Sequence, residues 1–164
     1  MRMRLAFLAW VLALGACSPS GAVEERSAGA ATRAAASAHP ESGLRVIPLT
    51  VSGESGTHAF RVEVAVSNEE QARGLMFRAK MEADEGMLFP MTPPRAASFW
   101  MRNTVIPLDI IFVGRDRRIL NIEAEAVPYS EEPRRSEGEA IAVLELNGGR
   151  AAELGIGPGD KVEW

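Results

Sequence analysis

The chain has 164 residues, with 18 basic and 22 acidic side chains, a formal charge of −4, one cysteine and two histidines. An acidic balance with no arginine run gives no electrostatic footprint for nucleic acid, so that class is set aside. A single cysteine excludes an internal disulfide, and so few cysteines and histidines leave a zinc centre without its usual ligands.

In chain order the first feature is an export signal. Arg2 and Arg4 make a basic start, Leu5 to Leu14 an unbroken apolar stretch, and Leu14-Gly15-Ala16-Cys17 a small-residue end. Ten apolar residues fall short of the roughly 20 that span a bilayer, so residues 1–16 read as a lipoprotein signal peptide rather than a membrane span. Cys17 is then the lipidation site. An ordinary secretory signal that leaves a free thiol is the alternative. Removing the segment takes away two arginines and no acid, leaving 16 basic against 22 acidic side chains. The expected place is the periplasmic side of a bacterial membrane, with Ser18 after the cysteine favouring the outer membrane by the usual sorting tendency.

Residues 18–43 are dominated by Ala, Ser, Gly, Glu and Pro and hold hardly a bulky apolar residue. Such a stretch buries too little surface to offset its ordering entropy, so residues 17–43 read as a flexible tether from the lipidated Cys17. A coil of about 26 residues reaches on the order of 25 to 30 Å.

From Leu44 onward the pattern is that of a globular domain of ordinary size, residues 44–164. Leu44 to Val51 reads as a strand, Ser52 to Gly56 as a hairpin turn, and Phe60 to Val66, apolar at every second position, as its partner. Ser67 with Glu70 forms a capping box and Gly74 a left-handed stop, which predicts a helix of about two turns. Asp109 to Val113 is apolar after its first residue, as in a strand covered on both faces. Gly114 to Arg118 turns the chain into a return strand, Ile119 to Val127, with Leu120, Ile122, Ala124 and Ala126 on one face. Ala140 to Leu146 reads as another strand, Asn147 as a cap, Arg150 to Leu154 as a short helix stopped by Gly155, and Lys161 to Trp164 as a closing strand. The predicted fold is one compact α+β domain dominated by antiparallel strands, a barrel-like sheet with two short helices.

The densest unusual stretch is Phe99-Trp100-Met101-Arg102-Asn103-Thr104-Val105-Ile106-Pro107-Leu108-Asp109, preceded by Arg73-Gly74-Leu75-Met76-Phe77-Arg78 and Gly86-Met87-Leu88-Phe89. With the late Val143-Leu144-Glu145 and Gly155-Ile156-Gly157-Pro158-Gly159-Asp160 segments, it resembles the domain of unknown function 192 family over nearly all of Phe60 to Val162. Relatives often carry lysine after the Met101 position, where this chain has Arg102. The resemblance implies a compact, mainly β domain, commonly exported, and supplies no reaction.

Trp100 beside Arg102, Asn103 and Thr104 joins a flat apolar surface to a charged donor, an amide and a hydroxyl. That mix suits a polyol whose C–H face stacks on the ring while its hydroxyls find partners. The same stretch also reads as core (Phe99, Met101, Ile106, Leu108) plus a turn in which Asn103 and Thr104 bond their own backbone. Asp109 starts an apolar strand, so its carboxylate needs a partner, with Arg102, Arg73 or Arg78 as candidates for an ion pair and Asp109 itself as the candidate catalytic acid or base. Glu63 reads as solvated, and Glu145 as either a surface residue or a partner for an arginine. His39 falls in the tether and His58 at a turn, so neither is placed to activate a nucleophile. Met76, Met81, Met87, Met91 and Met101 raise Cu(I) handling as an option, although methionine also fills irregular cores and no cofactor is expected. The leading functional expectation is a membrane-anchored binding or envelope-accessory domain, for glycans, acidic envelope components or an envelope protein. A carboxylate-dependent enzyme acting on envelope saccharides is the alternative.

Overall fold

The structure is a computed structural model and describes residues 37–164. The expected signal segment, Cys17 and the tether up to residue 36 lie outside the described residues. The elements are β1 (Ser37–Ala38), β2 (Arg45–Gly53), β3 (Gly56–Val64), α1 (Asn68–Arg73), β4 (Glu85–Phe99), β5 (Leu108–Gly114), β6 (Ile119–Ala126), β7 (Arg134–Asn147), α2 (Arg150–Leu154) and β8 (Lys161–Glu163). They form one sheet in the spatial order β1-β2-β3-β4-β7-β5-β6, with β8 beside β2. Pairings are antiparallel apart from β3 with β4, the two strands joined through α1. The segment at β8 pairs with β2 and also touches the β5–β6 turn, where Val162 donates to Arg117 at 2.8 Å. The sheet therefore curls into a half-barrel, as the alternating strands and two short helices predicted.

Every residue of β5 is buried because the sheet is covered on both faces. Ile111 and Val113 join Leu49, Phe60, Leu144 and Leu146 in one cluster, while Ile110 and Phe112 join Met87, Phe89 and Val143 in the other. The apolar run without alternation follows from that. Central strand β7 pairs with both β4 and β5, so its residues are enclosed laterally as well.

Helix α1 starts as the sequence implies: Ser67 Oγ accepts from Glu70 N at 3.1 Å and Glu70 Oε2 accepts from Ser67 N at 2.8 Å. Donation from the backbone amides of Ser67 and Val66 holds the Glu70 carboxyl below its ordinary range. Gly74 ends the helix at φ +47°, a conformation that disfavours side chains. Two expectations need correction, and one strand is not foreseen. Asn147 does not cap α2: it lies in β7 and donates to Met81 and Glu82 carbonyls at 3.0 Å, and Gly149 holds the cap position. Strand β6 does not keep one apolar face, since register shifts place Ile119 and Ile122 in one cluster, Leu120 in the other and Ala124 in solvent. Strand β4 has no counterpart in the sequence reading, because Pro90, Pro93 and Pro94 interrupt the alternation that marks a strand.

The end of the expected tether is packed. Ser37 and Ala38 pair with Val46 and Arg45. Glu41 lies 3.0 Å from Arg78, His39 lies 3.6 Å from Glu63, and Ser42 Oγ donates to Glu63. A chain shortened to start at Leu44 is therefore expected to unfold about 1 to 3 kcal/mol more easily than one starting at Arg33, since a buried ion pair loses three polar neighbours. Chemical denaturation of the two decides it, and a difference below about 0.5 kcal/mol would show that residues 37–43 add nothing.

Candidate functional site

Asp109 is fully buried, and its charge is met by backbone rather than by arginine. Oδ1 accepts from Glu125 N and Gly149 N, both at 2.9 Å, and Oδ2 accepts from Ala151 N at 2.8 Å. The carboxylate thus ties β5 to the irregular end of β6 and to the first turn of α2, whose unpaired amides and dipole favour an anion. This corrects two expectations: Asp109 has no ion pair with Arg102, Arg73 or Arg78, and its oxygens are committed to scaffold. It is a positioning group.

Arg78 is likewise withdrawn from the surface. It is 7% exposed and grips Glu63 with two hydrogen bonds of 2.8 and 3.2 Å, so Glu63 is buried and paired rather than solvated. Asn103 sits in a turn at φ +55°, with its carbonyl accepting from Phe77 N at 2.9 Å. Thr104 is buried, and its hydroxyl donates to the Arg102 carbonyl at 3.4 Å. The self-bonding turn holds for Thr104 alone, since the Asn103 side-chain amide donates to Met76 Sδ at 3.8 Å; Thr104 also borders the groove described next.

The remaining candidates converge. Trp100, Arg102 and Arg73 line an open groove of about 330 Å³ between α1, the start of the 100–107 loop and the face of β4. Trp100 is 49% exposed, and the Arg102 guanidinium stands over its ring at 5.6 Å from the centroid. A stacked arginine keeps in-plane donors available, and Arg102 Nε also lies 3.9 Å from Glu131, both side chains being exposed. Arg95, on β4, adds a third guanidinium. Arg73 and Arg95 are exposed, and neither makes an ion pair or side-chain hydrogen bond among the described residues. Leu75, Phe89, Met91 and Phe99 supply the apolar wall, with Phe99 packed edge-on between Phe89 and Phe112.

The groove also contains a residue that the sequence reading placed elsewhere. Glu145, on β7, is only 5% exposed and lines the groove floor. Its neighbours in β7, Leu144 and Leu146, face the opposite cluster, so Glu145 shares a face with Val143 and stands between Met87 of β4 and Ile110 of β5. Its side chain makes no hydrogen bond or ion pair among the described residues. Burial alone pushes its carboxyl up to about 8. At neutral pH the group is therefore mainly a neutral acid, with an O–H to donate. A perturbed carboxyl in a cleft marks a functional site better than exposed charge does. A larger hollow of about 670 Å³ lies across the wall formed by Arg73, Gly74 and Met76. Its ionisable groups include Arg78, bound to Glu63, and Glu70, committed to the helix cap, so it offers fewer open valences.

Of the five methionines, Met87, Met91 and Met101 are buried in the apolar cluster and Met81 packs against it. Met76 and Met91 reach the groove wall. Burial in the cluster gives Met87, Met91 and Met101 a packing role.

The described residues form a curled, strand-dominated sheet with an arginine-rimmed groove over a buried acid. The chain belongs to the domain of unknown function 192 family, described as an uncharacterised ACR, whose model matches residues 49–164. A crystal structure of a protein of unknown function from Novosphingobium aromaticivorans is 62% identical, covers 80% of this chain and 94% of its own, and superposes with a TM-score of 0.79. A provisionally named transcription regulator from Sinorhizobium meliloti is 40% identical, with 73% of this chain and 94% of its own covered and a TM-score of 0.71. No curated protein matches.

The Glu145 carboxyl makes stability depend on pH with a definite sign. Below about pH 4.5 both folded and unfolded chains hold this proton, and between 4.5 and about 8 the unfolded chain releases it while the folded chain keeps it. Stability therefore falls as pH rises through that window, by on the order of 3 to 5 kcal/mol from this group. Glu145→Gln is expected to lack this loss, so its stability relative to the parent should climb steadily across the window. Denaturation curves at several pH values test it; parallel profiles for the two proteins would show that Glu145 ionises as freely in the fold as out of it.

Proposed function

We propose that this protein is a binding domain of the bacterial cell envelope that holds an acidic saccharide, or a comparable acidic envelope component, in the groove beneath Trp100. The observation that carries the reading is the meeting of three guanidinium groups, an exposed aromatic face and a buried acid in one open cavity. Each part has a separate use. The ring offers a surface for the C–H face of a sugar, the arginines draw and orient an anion, and the Ser98 hydroxyl and Gln71 Oε1 serve hydroxyls, Gln71 Nε2 being bonded to the Ala65 and Pro90 carbonyls. A cavity of this size falls within the range of small-ligand sites and suits one or two sugar rings.

Binding fits the geometry better than hydrolysis. Glycoside cleavage by the common routes uses two carboxyl groups flanking the scissile bond. Glu145 is the one carboxyl among the residues lining the groove, and Asp109, the candidate catalytic residue, is bound to three backbone amides. Tethering to a membrane through Cys17, on the periplasmic side and in the outer membrane by the Ser18 tendency, belongs to the same proposal and rests on the sequence of residues 1–18. No helix among the described residues is long and apolar enough to cross a membrane.

Titration of the protein with acidic and neutral envelope-sugar fragments, followed by tryptophan emission, is the test. Trp100→Ala and Arg73→Ala are expected to weaken binding at least about tenfold while leaving stability within about 1 kcal/mol, as exposed side chains do. A loss near 3 kcal/mol or more for Trp100→Ala would instead assign the ring to packing. For the anchor, Cys17→Ser should move the protein out of the detergent phase, because acyl chains supply roughly 0.8 kcal/mol per buried methylene; unchanged partitioning would rule it out.

A further inference from the structure

The groove has a floor that no exposed feature explains. Glu145 is buried between Met87 and Ile110, faces the cavity, and finds no donor among the described residues. Among the described residues, the one side-chain polar atom closed off from solvent without a partner is Arg134 Nε and not a Glu145 oxygen, so the carboxyl meets the open side of the groove. A carboxylate left there would be a buried, uncompensated charge, which costs several kcal/mol. As an acid it becomes a donor at the bottom of a pocket whose rim is cationic.

We infer that this floor and rim form a subsite for the carboxylate of an acidic sugar: one ligand oxygen accepts a hydrogen bond from the Glu145 carboxyl and the other takes the guanidinium groups of Arg73, Arg95 or Arg102. The inference rests on the groove being the binding site proposed above, and names the chemical group it recognises. An ammonium ligand would suit an ionised Glu145 but meets three positive charges on entry. A neutral sugar would leave those charges unused. A phosphate monoester would also be drawn by the guanidinium groups, so a phosphate sugar is the competitor in the test below. A carboxylate, with two acceptor oxygens, matches one buried donor and one arginine face.

Ligand and Glu145 then hold one proton between them, and binding depends on it. The charged groups facing Glu145 are Arg73 from α1, Arg95 from β4 and Arg102 from the loop, all of which keep their charge across the relevant range. Along the sheet, Glu63 lies beyond Met87, bonded to Arg78 and near His39. Glu123 lies beyond Ile110, 3.9 Å from Arg134. Of these acids, Glu145 alone lacks a cation.

The experiment is calorimetric titration of the full chain with three sugars that share one ring: N-acetylmuramic acid, which carries a carboxylate, N-acetylglucosamine, which carries none, and N-acetylglucosamine 1-phosphate. The carboxylate sugar is expected to bind at least about tenfold tighter than the other two at about pH 6.5, and to lose about tenfold by about pH 9 as Glu145 ionises. Near pH 9, buffers of different ionisation enthalpy should reveal uptake of close to one proton. Glu145→Gln keeps a donor and is expected to bind without that pH dependence, whereas Glu145→Ala loses binding. Equal affinity for the acidic and neutral sugars, preference for the phosphate, or an unchanged pH profile in Glu145→Gln overturns the subsite; if Trp100→Ala still abolishes that binding, the groove reading survives. Absence of binding by all three sugars overturns both.

Discussion

Burying a carboxyl group in an apolar sheet is the constraint around which this structure is arranged, and it is met in three different ways. Glu63 takes a guanidinium, Asp109 takes three backbone amides, and Glu145 gives up its charge. The first two solutions are complete, since the donors match the acceptors and the groups serve the scaffold. The third leaves a valence open. That difference, more than burial itself, separates the structural acids from the one that faces the open groove.

The fold produces the contrast through the position of β7. Because this strand runs between β4 and β5, side chains on both its faces are enclosed, and a glutamate that would be solvated on an edge strand is buried. The parallel return from β3 to β4 carries α1 across the same face, which brings Arg73 and the Gly74–Met76 segment over the end of the sheet. Asp109, tied to α2 on one side and to β6 on the other, fixes the strand into which the Trp100 loop leads. Anchoring and opening are thus built from neighbouring residues.

Much of this is written locally. The Ser67–Glu70 box, the Gly74 and Gly155 stops, and the run from Asp109 to Val113 each depend on contacts a few residues apart or on burial of both sides, and each appears where expected. Trp100, Arg102 and Arg73 line one groove. What escapes local reading depends on long-range pairing. In Val143-Leu144-Glu145-Leu146 the alternation points Glu145 to a polar face, and only a second apolar layer, supplied in part by Met87 and Phe89 of a proline-broken strand, turns that face inward. Glu63 is hidden for the same reason, with Arg78 arriving from beyond α1. Backbone amides leave no mark in a sequence, so nothing local could foretell that Asp109 would be satisfied by Glu125, Gly149 and Ala151 rather than by arginine.

The central claim is that Glu145 stands neutral at the floor of the groove at neutral pH. The direct measurement is a carbon NMR titration of the selectively labelled Glu145 side-chain carboxyl in the folded protein, with Glu145→Gln identifying the resonance. The expected result is a single step centred near 8, with the group protonated throughout the range where ordinary glutamates are ionised. A step in the ordinary carboxylate range, near 4.5, would contradict the account by leaving a charged oxygen where a donor is required.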